Sequence, residues 1–312
     1  MILTVTPNPM LDKTLWVPSF QSGITHRAHR AVTIGSGKGI NVSRALLHLG
    51  EETLATGFLG GYTGEQVRRL LSTEGIPHDF VPIRNLTRVG FTVFDETTAQ
   101  HTAVFEPGPE LFPEEAEQLI EKVRDVLPRC EALALCGSMP SPGYDDLYLR
   151  LARAAKATNV PVFLDSYDEP LRQGLAAGPN FLKPNRDEAR RTFGIDIRLP
   201  QGMANMLRAL AKTGAQWIFL TDGERNLGVY AQGNFYLATP PKIHCVNALG
   251  SGDAMVAAFL HGWRRKREGE NLIRFAIAAG AVNAQEFMPG FADLKRIESL
   301  AAQITIEPLC KK

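Results

Sequence analysis

The sequence predicts an α/β protein: a central, mostly parallel sheet flanked by helices, with a small β-sheet lid. Three observations predict it. Short apolar runs alternate with longer amphipathic ones along most of the 312 residues. Two segments break that alternation with period-two patterns. A content of 44% hydrophobic and 21% charged residues is ordinary for a globular chain able to bury a core.

The first run, ILTV at 2–5, has the length and apolarity of a buried strand, and TLAT at 53–56, ALALC at 132–136, VPVFLD at 160–165 and WIFLT at 217–221 repeat it. Between them, stretches at 65–74, 113–127, 144–158 and 203–213 carry helical periodicity. Strand and helix in alternation give a parallel sheet covered on both faces, with ligands beyond the carboxyl ends of its strands. Residues 1–11, 33–86 and 108–312 are assigned to this core. Residues 87–107 alternate around a polar ETTAQ centre and predict a hairpin, and 12–32, containing LWV and HRAVT, is strand-like with no helix between. Together they are expected to form the lid. Val89, Phe91 and Val93 on one face, with Phe94 and Phe105 nearby, are more apolar surface than a small flap buries, so two lids are expected to pair in a homodimer.

Charge narrows the partners. With 34 Lys and Arg against 33 Asp and Glu, a net charge of +1 offers no field to gather nucleic acid. The basic run Arg264–Arg267 falls at the end of a predicted helix, where cations suit the dipole, and is expected to be solvated. No apolar stretch reaches membrane-spanning length and MILTVTPNP has no leader pattern, so the expectation is a cytoplasmic protein without membrane contact. Cys130, Cys136, Cys245 and Cys310 have neither metal nor redox spacing and are expected to be reduced, partly buried thiols. The histidines show no ligand spacing either, and His101 in the hairpin is expected to be exposed rather than catalytic.

Four segments carry chemistry. In VNALGSGDAMVAAFLHGW, residues 246–263, Val256, Phe259, Leu260 and Trp263 recur at helical spacing, so a helix begins near Asp253. Gly250, Ser251 and Gly252 precede it, and their amides converge at the positive helix end, an anion site. A carboxylate in that turn would repel phosphate unless it accepts a proton from an attacking hydroxyl; alternatively it only stabilises the helix dipole. In IGSGKGINVSRALLHLG, residues 34–50, Gly35, Gly37 and Gly39 precede another helix. Ile40 excludes a dinucleotide fingerprint and Gly39 after Lys38 excludes a Walker A loop, leaving Lys38 and Asn41 to meet sugar hydroxyls or a phosphate. In LKPNRDEARRTFG, Asn185 and Glu188 form a capping-box pattern, or else hold a hydrated Mg²⁺. Asp12 follows the first strand, at the end expected to face the crevice.

These segments in this order resemble the PfkB family of carbohydrate kinases, over essentially the whole chain. TPNPMLD at 6–12, GSGKGINVSRAL at 35–46, GFLGGYTGE at 57–65, CGSMPSPG at 136–143, LKPNRDE at 182–188, LTDGE at 220–224 and GSGDAMVAAF at 250–259 carry the likeness. It is greatest to the branch of 1-phosphofructokinase, tagatose-6-phosphate kinase and the minor 6-phosphofructokinase. The resemblance implies a ribokinase-like fold and ATP-dependent phosphorylation of a sugar phosphate such as fructose 1-phosphate, tagatose 6-phosphate or fructose 6-phosphate. It implies Asp253 as base, with Gly250, Ser251 and Gly252 as the anion hole. Asn185 and Glu188 would position Mg²⁺, while Lys183, Asn185, Thr221, Gly223, Asn226, Gly252 and Asn283 would border ATP. Asp12, Gly37, Lys38 and Asn41 would hold the sugar, and Arg88 and Ser138 its phosphate.

The likeness departs at the lid, where the branch carries Asn, Lys, Glu and Asn at positions that here hold Gly90, Thr92, Ala103 and Phe105. The lost lysine leaves a kinase for an unphosphorylated sugar or nucleoside as an alternative. A sensor on the same fold is a further alternative, although the intact Asp253 turn speaks for catalysis. Asn226 stands where the family has glycine and is expected to tolerate a left-handed backbone.

Overall fold

The computed structural model describes residues 1–199 and 201–309; Cys310 lies outside them. The chain opens with β1 (Ile2–Thr6), β2 (Met10–Val17), β3 (Arg30–Ser36), α1 (Lys38–His48), β4 (Thr53–Gly60), α2 (Gly61–Thr73), β5 (Val81–Ile83), β6 (Arg88–Asp95) and β7 (Gln100–Phe105). It continues through α3 (Pro113–Val126), β8 (Ala132–Cys136), α4 (Leu147–Ala157), β9 (Val162–Asp165), α5 (Asp168–Leu175), β10 (Phe181–Leu182), α6 (Arg186–Phe193) and α7 (Gly202–Ala211). β11 (Trp217–Leu220), β12 (Leu227–Ala231), β13 (Asn234–Thr239), α8 (Ser251–Arg264), α9 (Gly269–Ala284), α10 (Leu294–Ala301) and β14 (Thr305–Pro308) complete it.

Two sheets result. Among the described residues the larger runs β14-β13-β12-β11-β10-β9-β8-β1-β4-β5, parallel from β5 to β11 and antiparallel from there outward. The central parallel strands β1 and β8 to β11 split their side chains between two cores. Ile2, Ala132, Ala134, Phe163, Phe181, Trp217 and Phe219 pack under α1, α8 and α9. Leu3, Val5, Leu133, Leu135, Leu164, Leu182 and Leu220 pack under α3, α4, α6 and α7 on the opposite face. Burial on both faces explains why these strands read as continuous apolar runs rather than alternating ones.

The expected strands and helices form, with shifts at their ends. α2 starts at Gly61, ahead of the expected 65, because the Gly60–Gly61 bend turns directly into the helix. β5, β10 and the β12–β14 ribbon were not among the expected strands. β5 and β10 are too short for a periodic signal, while β12 and β13 are joined by a two-residue turn of left-handed Gln232 and Gly233.

The smaller sheet has the order β3-β2-β6-β7, with β2 and β6 parallel and the β6–β7 hairpin antiparallel. It includes Met10 and extends through Ser36, beyond the expected 12–32. Leu11 and Val89 on its outer face pack against α2 through Val67 and Leu71. The strand pairing places Phe91 and Val93 outward with Val104, whereas Phe94 and Phe105 lie on the inner face. The basic run is less solvated than expected: Arg264 pairs with Glu51 and Glu131, and Arg267 lies over the Phe275 ring and pairs with Glu298. Cys136 is buried and Cys130 half-buried, but Cys245 is exposed. No described helix is long and apolar enough to cross a membrane.

Candidate active site

α8 begins at Ser251, directly after a glycine. Its N-cap, Gly250, has φ of 78°, and a Cβ there would come within 2.6 Å of Pro289 Cβ, so only glycine serves this turn. Asp253, in the first turn, is buried, and its Oδ2 accepts a hydrogen bond of 2.8 Å from Asn41 Nδ2. Asn41 is itself oriented: its Oδ1 accepts from Arg44 NH1 at 2.7 Å, which fixes the amide nitrogen toward Asp253. Burial above all, with the nearby Asp165 charge adding to it, pushes the Asp253 pKa up to about 6.

Beside Asp253 lies a closed charge network. Asp165, wholly buried at the end of β9, receives Lys38 Nζ on Oδ1 at 2.8 Å and lies 3.0 Å from Lys183 Nζ through Oδ2. Lys38 also reaches Glu188 Oε1 at 2.5 Å. Two cations therefore hold Asp165 below the usual carboxylate range despite its burial. Lys183 stands against the start of α8, 2.9 Å from where a Cβ on Gly252 would sit. Asn185 and Glu188 cap α6 reciprocally: Asn185 Oδ1 accepts from the Glu188 amide at 2.9 Å, and Glu188 Oε2 accepts from the Asn185 amide at 2.8 Å.

The lid roofs this floor. Asp12 faces inward from β2, in a row with Ile34, Gly90 and Phe105. Burial raises its pKa to about 6 against the opposing pull of Arg88. Arg88 donates to the Asn8 carbonyl at 3.0 Å, and Asn8 Nδ2 donates to Ser138 Oγ at 3.1 Å, so Arg88 and Ser138 share one end of the crevice. Thr6 Oγ1, Asn8 Oδ1, Asp12 Oδ1, Arg88 Nε, Thr92 Oγ1 and His101 Nδ1 are buried polar atoms with no hydrogen-bond partner. Such atoms are rare in native proteins unless something else completes them.

The structure thus brings Asp253, Gly250, Gly252, Asn41, Lys38, Lys183, Asn185 and Glu188 together, with Asp12, Arg88 and Ser138 across the crevice. Gly37 stands at the start of α1, where its extended turn packs against Thr6. Four expectations need correction. The Ser251 amide donates to the Ala248 carbonyl at 3.2 Å and is not free for an anion, which leaves the amide of Gly250 at the cap and those of Gly252 and Asp253 in the first turn. Asn283 is wholly buried, donating to the Leu249 carbonyl and Ser251 Oγ and accepting from the amides of Gly290 and Phe291, so it brackets the glycine turn and has nothing left for a nucleotide. Asn226 is not among the residues with positive φ; Gly223, at 62°, makes that bend instead, while Thr221, just past β11, forms a parallel bridge with Asn185 at the start of α6. His101 is half-buried, its ring against Phe94 and Phe287.

Sequence reasoning missed Asp165, whose signal was its place as the last residue of a buried strand, and Arg44, which resembled any arginine on a helix. Among the described residues no cluster of three or more His, Cys, Asp and Glu is arranged to hold a metal.

A family model described as pfkB family carbohydrate kinase matches residues 10–294. Among solved structures, one described as a possible 1-phosphofructokinase from Thermotoga maritima is 25% identical and superimposes with a TM-score of 0.91, covering 99% of this chain and 100% of its own. Phosphofructokinase-2 from Escherichia coli, in complex with substrates and products, is 26% identical at a TM-score of 0.87, covering 97% of this chain and 98% of its own. Other structures of that Escherichia coli enzyme contain fructose-6-phosphate or are described as a tetrameric inhibited form. The fold is that of these ribokinase-like neighbours.

Proposed function

The chain belongs to the pfkB family of carbohydrate kinases, a phosphotransferase with an alcohol acceptor, and from that premise we propose that it moves the γ-phosphoryl group of ATP onto a hydroxyl of a phosphorylated ketohexose. The observation that carries this is Asp253: a carboxylate at a helix N-terminus, aimed by Asn41 and held near a pKa of 6, is poised to accept a proton at physiological pH.

The acceptor hydroxyl gives its proton to Asp253 Oδ1 or Oδ2 as its oxygen bonds to phosphorus and the bond to the ADP oxygen breaks. Because this transition state is loose, stabilising charge on the migrating group matters more than the strength of the base. The Gly252 and Asp253 amides and Lys183 supply that stabilisation at one end of α8. Asp165 acts by holding Lys38 and Lys183 on either side of itself.

The donor set fits a hydrated Mg²⁺ through a single carboxylate. Glu188 is the acidic group at the expected place, and its oxygens, each already accepting one hydrogen bond, retain lone pairs for a metal-bound water. Such an ion would neutralise phosphate charge; Asn185, through its cap, keeps Glu188 oriented. Asp12 would hold the sugar, Arg88 and Ser138 its phosphate, and Gly223 would border ATP.

Purified protein with Mg·ATP is expected to release ADP with at least one of fructose 1-phosphate, fructose 6-phosphate or tagatose 6-phosphate, and the Asp253→Asn variant to lose that activity. ADP release with free fructose alone would move the assignment to an unphosphorylated sugar, a result the absence of a lysine at Thr92 would suit. We further propose that the outer lid face of Phe91, Val93 and Val104 pairs in a homodimer. Phe91 is 41% and Val104 67% exposed, apolar surface that favours a partner. Sedimentation at micromolar concentration should show a dimer, and Val104→Asp should reduce it to monomer.

A further inference from the structure

The lid's inner face holds two polar groups that the activity proposed above does not use. In β6 and β7 the inward rows are Asp12–Gly90–Phe105, then Thr14–Thr92–Ala103, then Trp16–Phe94–His101. Asp12, Thr92 and His101 line one pocket, closed on the far side by Asn247, Leu249, Phe287 and Pro289 from the loops that carry the α8 turn. Thr92 is only 2% exposed, and its Oγ1 has no partner. His101 Nε2 lies 3.4 Å from the Val246 carbonyl, which can only accept; in the neutral tautomer that donates to it, Nδ1 is an acceptor. That Nδ1 is buried and without a partner. The ring packs between Phe94, at 4.7 Å between centroids, and Phe287, at 5.9 Å.

An acceptor nitrogen and a hydroxyl, both orphaned in a pocket that opens beside the phosphoryl-transfer turn, suit a ligand hydroxyl rather than a charge. A hydroxyl donates to Nδ1 and exchanges a second hydrogen bond with Thr92. A phosphate there would face a ring lone pair with no cation: Arg88 lies at the other end of the lid strand with Asn8 and Ser138. Gly90 is part of the same arrangement. A Cβ at this position would meet Met10 Sδ and Phe105 Cδ1, each at 2.9 Å, so the Phe105 ring crowds any side chain there and makes this part of the roof apolar.

We infer that Thr92 and His101 form a specificity pair that reads a neutral hydroxyl of the acceptor beneath the lid, beyond the hydroxyls held by Asp12. The acceptor class is then a polyol whose only anionic group, if it has one, lies at the Arg88–Ser138 end. The inference rests on the pocket being the acceptor site, so its test reads binding as well as turnover. Trp16 lies behind Phe287, a residue of the pocket wall, with ring centroids 4.4 Å apart, and reports occupancy through that neighbour by its fluorescence.

Fructose 1-phosphate, fructose 6-phosphate, tagatose 6-phosphate and free fructose would be titrated into the wild type, Thr92→Val, His101→Gln and His101→Phe, with melting temperature followed as a check on folding. The expected result is that the sugar bound by the wild type weakens about tenfold in Thr92→Val and His101→Phe, the loss of one hydrogen bond to a buried acceptor. His101→Gln, whose amide oxygen can still accept, should recover part of it, and ATP affinity should not move. Equal sugar affinity across the folded variants overturns the inference even if ADP is released normally. A variant-sensitive sugar affinity without any ADP release supports the pair and retires the kinase assignment instead. Failure of all four sugars to shift both the Trp16 fluorescence and the melting temperature of the wild type overturns the inference as well.

Discussion

The floor of the crevice and its roof treat buried polarity in opposite ways. On the floor, Lys38, Lys183, Asp165, Glu188 and Asp253 all have charged or hydrogen-bonding partners within the chain, and the least exposed of them, Asp165, has two cations, its Oδ2 meeting Lys183 as an ion pair rather than a hydrogen bond. On the roof, Asp12, Arg88, Thr92 and His101 each keep a buried polar atom without one. A charge-paired network is already arranged around the reacting group, whereas groups with neither an ion pair nor a hydrogen bond are completed only by a ligand of matching shape. Chemistry is preassembled below, and recognition is left open above.

If that division holds, the largest effect should come from the one floor carboxylate whose charge is not balanced. With both lysines, Asp165 and Glu188 ionised, the network is neutral until Asp253 ionises. Asp253→Asn should cut turnover on the order of 10²–10⁴-fold with ATP affinity largely kept. Stability should move the other way. The folded pKa of about 6 lies above the ordinary 3.8, so the native state holds a proton that the unfolded state has released. Stability therefore falls as pH rises from about 4 to about 6 and stays lower above it, a cost on the order of 3 kcal/mol. The amide variant avoids that cost. Urea midpoints at pH 5 and pH 8 should show the variant gaining on the wild type at the higher pH; an equal gap at both would mean that Asp253 is not neutralised by folding.

Removing the paired carboxylate should do the reverse. Asp165→Ala leaves Lys183, itself 3% exposed, and Lys38 without their common partner. Breaking a buried pair from one side costs about 3–5 kcal/mol, so the denaturation midpoint should fall sharply at pH 7. Asp12→Asn on the roof is the control: its carboxylate is also pushed up to about 6, so the amide should be neutral or stabilising while the sugar KM rises. If Asp165→Ala is no worse than Asp12→Asn, the contrast between floor and roof is wrong.

The rate profile follows from the same two groups. Asp253 must be ionised to accept a proton and Asp12 to hold sugar hydroxyls, and both titrate near 6. At saturating sugar, kcat should fall about tenfold per pH unit below 6. The fall in kcat/KM should be steeper, approaching a hundredfold per unit where both carboxylates protonate in the free enzyme. In Asp12→Asn the second slope should return to one.

Much of the floor was legible in the sequence because it hangs on helix starts: Gly250 to Asp253 and Lys38 to Asn41 are local patterns, and the Asn185–Glu188 cap needs only its own spacing. What was not legible depends on distance along the chain. Asp165 reads as the last letter of an apolar strand until Lys38 and Lys183 arrive from elements far away. Asn283 offered no clue that Leu249, Gly290 and Phe291 would consume its amide. The roof was legible as strands but not as faces, since one residue of register decides whether Phe94 and Phe105 look inward or outward.

The smallest expected effect probes the roof where its packing departs from polar recognition. Gly90→Ala places a methyl 2.9 Å from both Met10 Sδ and Phe105 Cδ1, contacts that must give way. Phe105 is 44% exposed and can tilt, so the cost should sit at the low end of the roughly 1–3 kcal/mol typical of overpacking. Phe105→Ala alone should be nearly neutral for stability, since much of its ring already meets solvent. The double variant should recover most of what Gly90→Ala loses, giving a coupling of roughly 0.5–1 kcal/mol in urea midpoints. Additive losses would mean that the ring and the glycine are independent. The roof's apolar patch would then be an accident of two separate substitutions rather than one packed replacement for the lost polar side chains.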